Sequence, residues 1–245
     1  MAAETHSAWP VLDRGRASPV GPPVIDLLLP PGVEHAEAFG DLAGARLHPA
    51  EESAVAGAGP ERRAEFATAR HLARRALSRL GVTPAPLPAG PRRAPRWPPG
   101  VVGSITHCAG YRGAVVARRT GFAALGVDAE PNEPLPVTVL RRIATERELA
   151  LVADLLVRRP DVRWDRLLFS VKESLYKTCA PMAGQWPGCD RTDIDLDATK
   201  SAFTARLLAG PGPGSPPCGT FDGRWLVRRG LVLTAVTRPA RPGPC

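Results

Sequence analysis

The chain has 245 residues, 44% hydrophobic but only 5% aromatic, with a formal charge of +8 at neutral pH. That is enough for one large domain or two small ones, with a core of Leu, Val and Ala. The positive balance suits an anionic partner (nucleic acid, a phosphorylated small molecule or an acidic protein) or plain solubility charge, and no stretch reaches the roughly 18 apolar residues a membrane span needs.

Residues 1–23 read as a loose lead-in, and the apolar run Val24–Leu29 as a short strand. Pro49 opens a short helix over Ala50–Val55, with Glu51 and Glu52 in its first turn, where the helix dipole favours acids. A long helix follows over Glu61–Leu80. Phe66, Ala69, Leu72, Ala73, Ala76, Leu77 and Leu80 recur there at three- and four-residue spacing, and Gly81 stops it. The proline-rich, basic stretch 84–100 is an extended loop. Val101–His107, Gly113–Arg118 and Phe122–Asp128 read as an antiparallel meander, ended by Pro131. Thr145 and Glu148 fit a capping box for a helix to Arg158. Trp164–Ala180 is a further helix, stopped by Pro181. Strands return at Ala202–Leu208, Arg224–Arg229 and Leu231–Thr237, after and around a Pro- and Gly-rich loop at 209–219. A helix followed by a meander thus occurs twice. The fold expected is α+β, in two pseudo-symmetric subdomains divided at 127/128, each a small antiparallel sheet packed with helices.

The five cysteines form no C-x-x-C pair, which speaks against zinc. Their odd number, without a signal-peptide pattern, fits a reducing cytoplasm. Of the 32 basic residues only Lys172, Lys177 and Lys200 are lysines. Where Arg is so favoured, a retained Lys marks a place that needs a compact ammonium. Glu173 and Lys177 project about 40° apart on their helix, away from the stripe Leu167, Leu168, Val171 and Leu175. That arrangement suits either a surface ion pair or a reactive cleft. Asp128 and Glu130, two apart at a strand end, point to one side and could share a hard cation or simply be solvated. His107 ends a strand and could donate to a phosphate. No Gly-rich phosphate loop and no G-x-S-x-G elbow occurs.

Three linked blocks carry a resemblance. Gly126-Val127-Asp128-Ala129-Glu130 and Phe169-Ser170-Val171-Lys172-Glu173-Ser174-Leu175-Tyr176-Lys177 resemble the two signatures of the Sfp-type phosphopantetheinyl transferases. Gly103-Ser104-Ile105-Thr106-His107 resembles the family's third motif, and Arg62-Arg63-Ala64-Glu65-Phe66 with Arg70-His71-Leu72-Ala73-Arg74 resembles the subgroup of enterobactin-pathway and mycobacterial enzymes. The similarity runs from about Leu47 to Thr237. Ala94 and Ser174 stand where relatives often have Glu and Ala.

The resemblance implies transfer of the phosphopantetheine arm of coenzyme A to a serine of a carrier protein, in a cleft between the halves. Asp128, Glu130 and Glu173 would hold Mg²⁺, with Glu173 and Lys177 catalytic. Arg62, Arg70, Arg92, Ser104, His107, Lys172 and Lys177 would contact the coenzyme, with Arg63 and Arg93 as alternatives to their neighbours. The expected partners are carrier domains of fatty-acid, polyketide or nonribosomal-peptide synthases, met by a cytoplasmic monomer without nucleic acid or membrane. The competing readings are a basic nucleic-acid-binding module and another Mg²⁺-dependent phosphohydrolase.

Overall fold

The computed structural model describes residues 23–183, 188–208 and 219–240. Residues 1–22 and the loop 209–218 lie outside the described residues.

The described residues form two antiparallel sheets, each backed by a 20-residue helix. The first contains β1 (Val33–Ala38), β2 (Val101–Cys108) and β3 (Tyr111–Arg118), in the order β1-β3-β2. Helix α1 (Pro60–Arg79) lies across it and buries Leu72, Ala73, Ala76 and Leu77 against Ala36, Ala38, Ala114 and Val116. Small residues on both sides let helix and sheet approach closely. Pro60 starts α1 and Gly81, at φ +69°, lies just beyond its end. The short 3-10 helix Pro49–Val55 ahead of it does more than favour a dipole. Its Glu51 is fully buried, and the carboxylate accepts from Arg74 Nη1 (2.7 and 2.9 Å), Leu87 N (2.8 Å) and His48 N (2.9 Å). One carboxylate thereby ties α1 to the proline-rich loop.

Val24–Leu29 is not a strand: Ile25–Leu28 is a 3-10 turn, with Ile25 and Leu28 buried at i,i+3. The leading strand is β1, whose sequence Val-Glu-His-Ala-Glu-Ala lacks clean alternation. The meander is also corrected. Both sides of β3 are occupied, by β1 and β2, so the next strand has no place beside it.

That strand, β4 (Phe122–Pro131), opens the second sheet. The order is β4, β8 (Leu231–Pro239), β7 (Gly219–Arg228), β6 (Ala202–Leu207) and β5 (Thr192–Asp197). The division at 127/128 falls within β4, which pairs with β8 along its whole length. Between β4 and the sheet's remainder come α2 (Val137–Ile143), α3 (Glu146–Arg158) and α4 (Trp164–Ala183). The capping box forms as expected: Thr145 Oγ1 accepts from Glu148 N, and Glu148 Oε2 accepts from Thr145 N. Helix α4 runs past Pro181 to Ala183. It packs Trp164, Leu167, Leu168, Val171 and Leu175 into a core shared with Phe203, Trp225, Val232 and Val236.

The two sheets meet at their edge strands. β2 and β4 run side by side in parallel, and β2 offers hydroxyls instead of backbone. Val127 N donates to Ser104 Oγ (3.1 Å), and Ala129 N donates to Thr106 Oγ1 (2.9 Å).

Helix α4 crosses β4 so closely that a Cβ on Gly126 would stand 2.0 Å from Ser174 O and 2.2 Å from Thr178 Oγ1. Both obstacles belong to the helix, one to its backbone. Gly126→Ala is therefore expected to destabilise by about 1–3 kcal/mol and to lower activity as α4 is pushed off the strand. Denaturant melts and a rate assay on the same preparation check this.

Candidate active site

The β4–α4 crossing fixes the chemistry. Lys177, about a turn beyond Ser174, reaches back over Gly126 to donate from Nζ to Asp128 Oδ1 (2.6 Å) and Val127 O (3.1 Å). Thr106 Oγ1 also donates to Asp128 Oδ1 (3.3 Å). Asp128 is 5% exposed, yet its second oxygen, Oδ2, has no partner. Buried acceptors are seldom left this way.

Glu130, two residues on, accepts at Oε2 from Arg166 Nη1 (3.1 Å). Burial first, and the Asp128 charge second, push its carboxyl up to about 7 against the pull of Arg166 and Lys177, with Glu173 adding to the rise. Glu173 is likewise raised, by burial and then by Asp128, with Lys177 opposing. Three carboxylates, one ammonium and one guanidinium therefore sit within electrostatic reach, one positive charge short of balance. Among the described residues no three His, Cys, Asp or Glu side chains stand in ligand geometry for a metal ion. The unpartnered Oδ2 and the mutual repulsion nevertheless fit a divalent cation, which would relieve both.

The Glu130 shift has a stability consequence. A carboxyl held near 7 in the fold, against 4.5 ordinarily, binds its proton more tightly folded than unfolded. Its contribution is full below about pH 4.5 and is lost as pH rises through about 7. Glu130→Gln is expected to remove that loss, worth at most about 3 kcal/mol. Melts at pH 4.5 and pH 8 check it: the variant should gain on the wild type at the higher pH.

A second group gathers on α1 and β2. Glu65 pairs with Arg62 Nη1, and its Oε1 lies 3.1 Å from His107 Nδ1 and 3.7 Å from Arg112 Nη2. Arg62 Nη1 lies 3.1 Å from His107 Nε2. Arg70 is 3% exposed, stacks its guanidinium over Phe66 at 4.3 Å and leaves Nε without a partner. Burial lowers its pKa to about 10; Glu51 opposes this, while Arg74 and Arg62 add to it.

The structure does not bring every expected residue to these groups. Lys172, expected at a phosphate, is 2% exposed. Its Nζ donates to Ile143 O (2.6 Å), Glu148 Oε2 (2.7 Å) and Cys189 O (3.0 Å), which consumes all three hydrogens inside the second half. Ser104 spends its oxygen on β4, and Arg63 pairs with Glu52. Arg92 and Arg93 lie in the 3-10 turn Pro91–Arg93; Arg93 is exposed at φ +62°, and the Arg92 side chain lies outside the described parts. Sequence reasoning missed Thr106, Arg112 and Arg166. Arg166 is 3% exposed and donates to Glu133 O and Pro134 O besides Glu130. On its helix it falls on the face of Glu173 and Lys177, opposite the apolar stripe, and that spacing was the available signal.

Residues 50–117 match the 4'-phosphopantetheinyl transferase N-terminal domain, and residues 124–222 match the 4'-phosphopantetheinyl transferase superfamily. The chain is 51% identical over 199 residues to 4'-phosphopantetheinyl transferase Svp of Streptomyces mobaraensis, covering 80% of each protein. This chain belongs to the 4'-phosphopantetheinyl transferases. Within that family it is also 43% identical to PptT of Mycobacterium tuberculosis, over 82% of this chain and 90% of that one. It is 35% identical to enterobactin synthase component D of Salmonella typhi, over 75% of each. The two matched regions join between β3 and β4, where the chain passes from the first sheet to the second. Each transferase region thus brings one of the two groups, the cations from the first and the carboxylates from the second. No described helix of this transferase is long and apolar enough to cross a membrane.

Proposed function

We propose that this transferase moves 4'-phosphopantetheine from coenzyme A to a serine of a carrier protein, and that it does so with Mg²⁺. The observation that carries the reading is the buried Asp128 carboxylate, with one oxygen on Lys177 and the other on nothing, beside the raised Glu130 and Glu173. The serine oxygen attacks the β-phosphorus of coenzyme A, the bond to the bridging oxygen breaks, and 3',5'-ADP departs. Asp128, Glu130 and Glu173 would hold Mg²⁺, which when bound supplies positive charge at the diphosphate. Glu173 takes the serine proton directly or through water. Lys177 neutralises charge developing on the leaving diphosphate oxygen. Such chemistry needs alignment and charge more than covalent help.

Arg62, Arg70 and His107 belong to the other cluster and would take the remaining phosphate, on the ribose 3' position. Arg92 or Arg93 would assist from the loop. Lys172, with all three hydrogens committed elsewhere, is left out of the contact set, whereas Ser104, which accepts from Val127 N, keeps its hydroxyl proton for a contact. The segment up to about residue 127 would then bind the nucleotide end, and the rest would carry the metal and the catalytic helix. Carrier domains of fatty-acid, polyketide or nonribosomal-peptide synthases are the proposed acceptors, met by a cytoplasmic monomer.

The test incubates the protein with coenzyme A, Mg²⁺ and a panel of apo carriers, then weighs each carrier. A phosphopantetheine mass gain on at least one carrier is expected, and none on any would overturn the reading. In parallel, Mg²⁺ added to the free protein should raise its melting temperature more at pH 8 than at pH 5, because the carboxylates must be ionised to bind it.

A further inference from the structure

We infer that Glu65 is a positioning residue that sets the nucleotide-phosphate subsite by holding His107 and Arg62 in place. The inference rests on the functional reading above, and three observations carry it.

The first is connectivity. Glu65 is the carboxylate within hydrogen-bond reach of both His107 and Arg62, with Oε1 toward the ring and Oε2 toward the guanidinium. The second is hydrogen-bond logic. A guanidinium has only donors, so His107 Nε2, 3.1 Å from Arg62 Nη1, accepts. Nδ1 then carries the proton and donates to Glu65. The guanidinium and the carboxylate thereby agree on one tautomer, and the carboxylate, which holds both partners, fixes their orientation. An arriving phosphate oxygen takes Arg62 as its donor, beside the imidazole that Glu65 holds in place. The third is permanence. Burial pushes the Glu65 carboxyl up, but the bond and charge of His107, with Arg62 and Arg112, outweigh it and hold its pKa at about 2. It is an anion at every working pH. Arg112, anchored to Asp41 Oδ1 (2.8 Å) and Cys108 O (2.6 Å), closes the cluster from β3.

An anion inside a phosphate site could have the opposite role. If Glu65 only neutralised the cations in place of ligand, removing it would tighten coenzyme binding. If it positions them, removing it weakens binding. The sign of the effect decides. Carboxylates that orient metal-bound histidines set the scale, since their loss costs roughly 10–100-fold.

The experiment compares wild type, Glu65→Ala and Glu65→Gln, with coenzyme A and with 3'-dephospho-coenzyme A as donors. For coenzyme A, Glu65→Ala should raise KM roughly tenfold at unchanged kcat. Glu65→Gln keeps an acceptor for Nδ1–H and should stay within about threefold of wild type. With the dephospho donor all three should share one KM, because the phosphate that the cluster serves is gone. Nitrogen-15 shifts of the His107 ring should show the Nδ1–H form in the free wild type and a tautomer mixture in Glu65→Ala. Melting curves keep a folding defect apart from a subsite effect. Tighter or unchanged coenzyme A binding in Glu65→Ala, or an equal loss with both donors, overturns the inference. A wild type inactive with every carrier would instead sink the functional reading.

Discussion

Asp128→Asn should abolish transfer while leaving the protein folded. The amide has almost the same shape, and its oxygen can still accept from Thr106, so packing at the β2–β4 contact is kept. What disappears is charge. Lys177, held by Asp128 Oδ1 at 2.6 Å and by Val127 O, loses its counter-ion and its fixed position. The unpartnered Oδ2 is replaced by whichever amide atom turns toward it, and an NH₂ there repels a cation. Losing one preorganised electrostatic contact costs about 10²–10³ in rate, and here several fall together. Single-turnover transfer followed by carrier mass measures the loss, with a melt alongside. A variant keeping a tenth or more of the rate would remove Asp128 from the mechanism.

Lys172→Met is expected to fail for a different reason, by unfolding. Its ammonium is 2% exposed and Glu148 is fully buried. Removing one member of such a pair leaves an uncompensated charge inside, at a cost of about 3–5 kcal/mol. Glu148 also accepts from Thr145 N and, at Oε1, from Ile194 N (3.0 Å), so the pair joins the start of α3, the middle of α4 and β5. Lys172→Arg should be nearly as harmful, because a planar fork does not meet three acceptors gathered round one point. Lys177→Met, by contrast, should lose rate with little change in denaturant midpoint, since Lys177 is partly exposed. Parallel melts and rate assays on the two lysine variants test this split. Equal loss of stability in both would contradict it.

Much of this was legible in the sequence, and the failures share a cause. The helix over Glu61–Leu80, the Thr145–Glu148 box and the β2–β3 hairpin are local patterns, and each formed as read. Val24–Leu29 has the composition of a strand, but its burial follows a three-residue step that single apolar letters do not reveal. The passage of β4 to the second sheet depends on β3 already having two neighbours, a fact about distant β1. The rarity of lysine marked two positions where a compact ammonium is needed. One lies beside Asp128. The other fills a buried socket, and scarcity alone does not distinguish the two. Glu65 stood inside a quoted motif, but its reach to His107, 42 residues along the chain, belongs to the packing of α1 on β2.

The seam between β2 and β4 has a consequence for how the protein behaves in a crowd. Each sheet has two rims, and an open rim is a template on which another chain can add. Here β2 and β4 shield one another, with Ser104 and Thr106 capping amides that would otherwise invite a stranger. Among the described residues, β1 and β5 are left as outer strands. β5 reads Thr-Asp-Ile-Asp-Leu-Asp, and its Asp193 and Asp195 are engaged by Arg147 and Arg206. A second molecule approaching that rim would have to break those pairs and desolvate the charges, which keeps fibre-like growth from starting there.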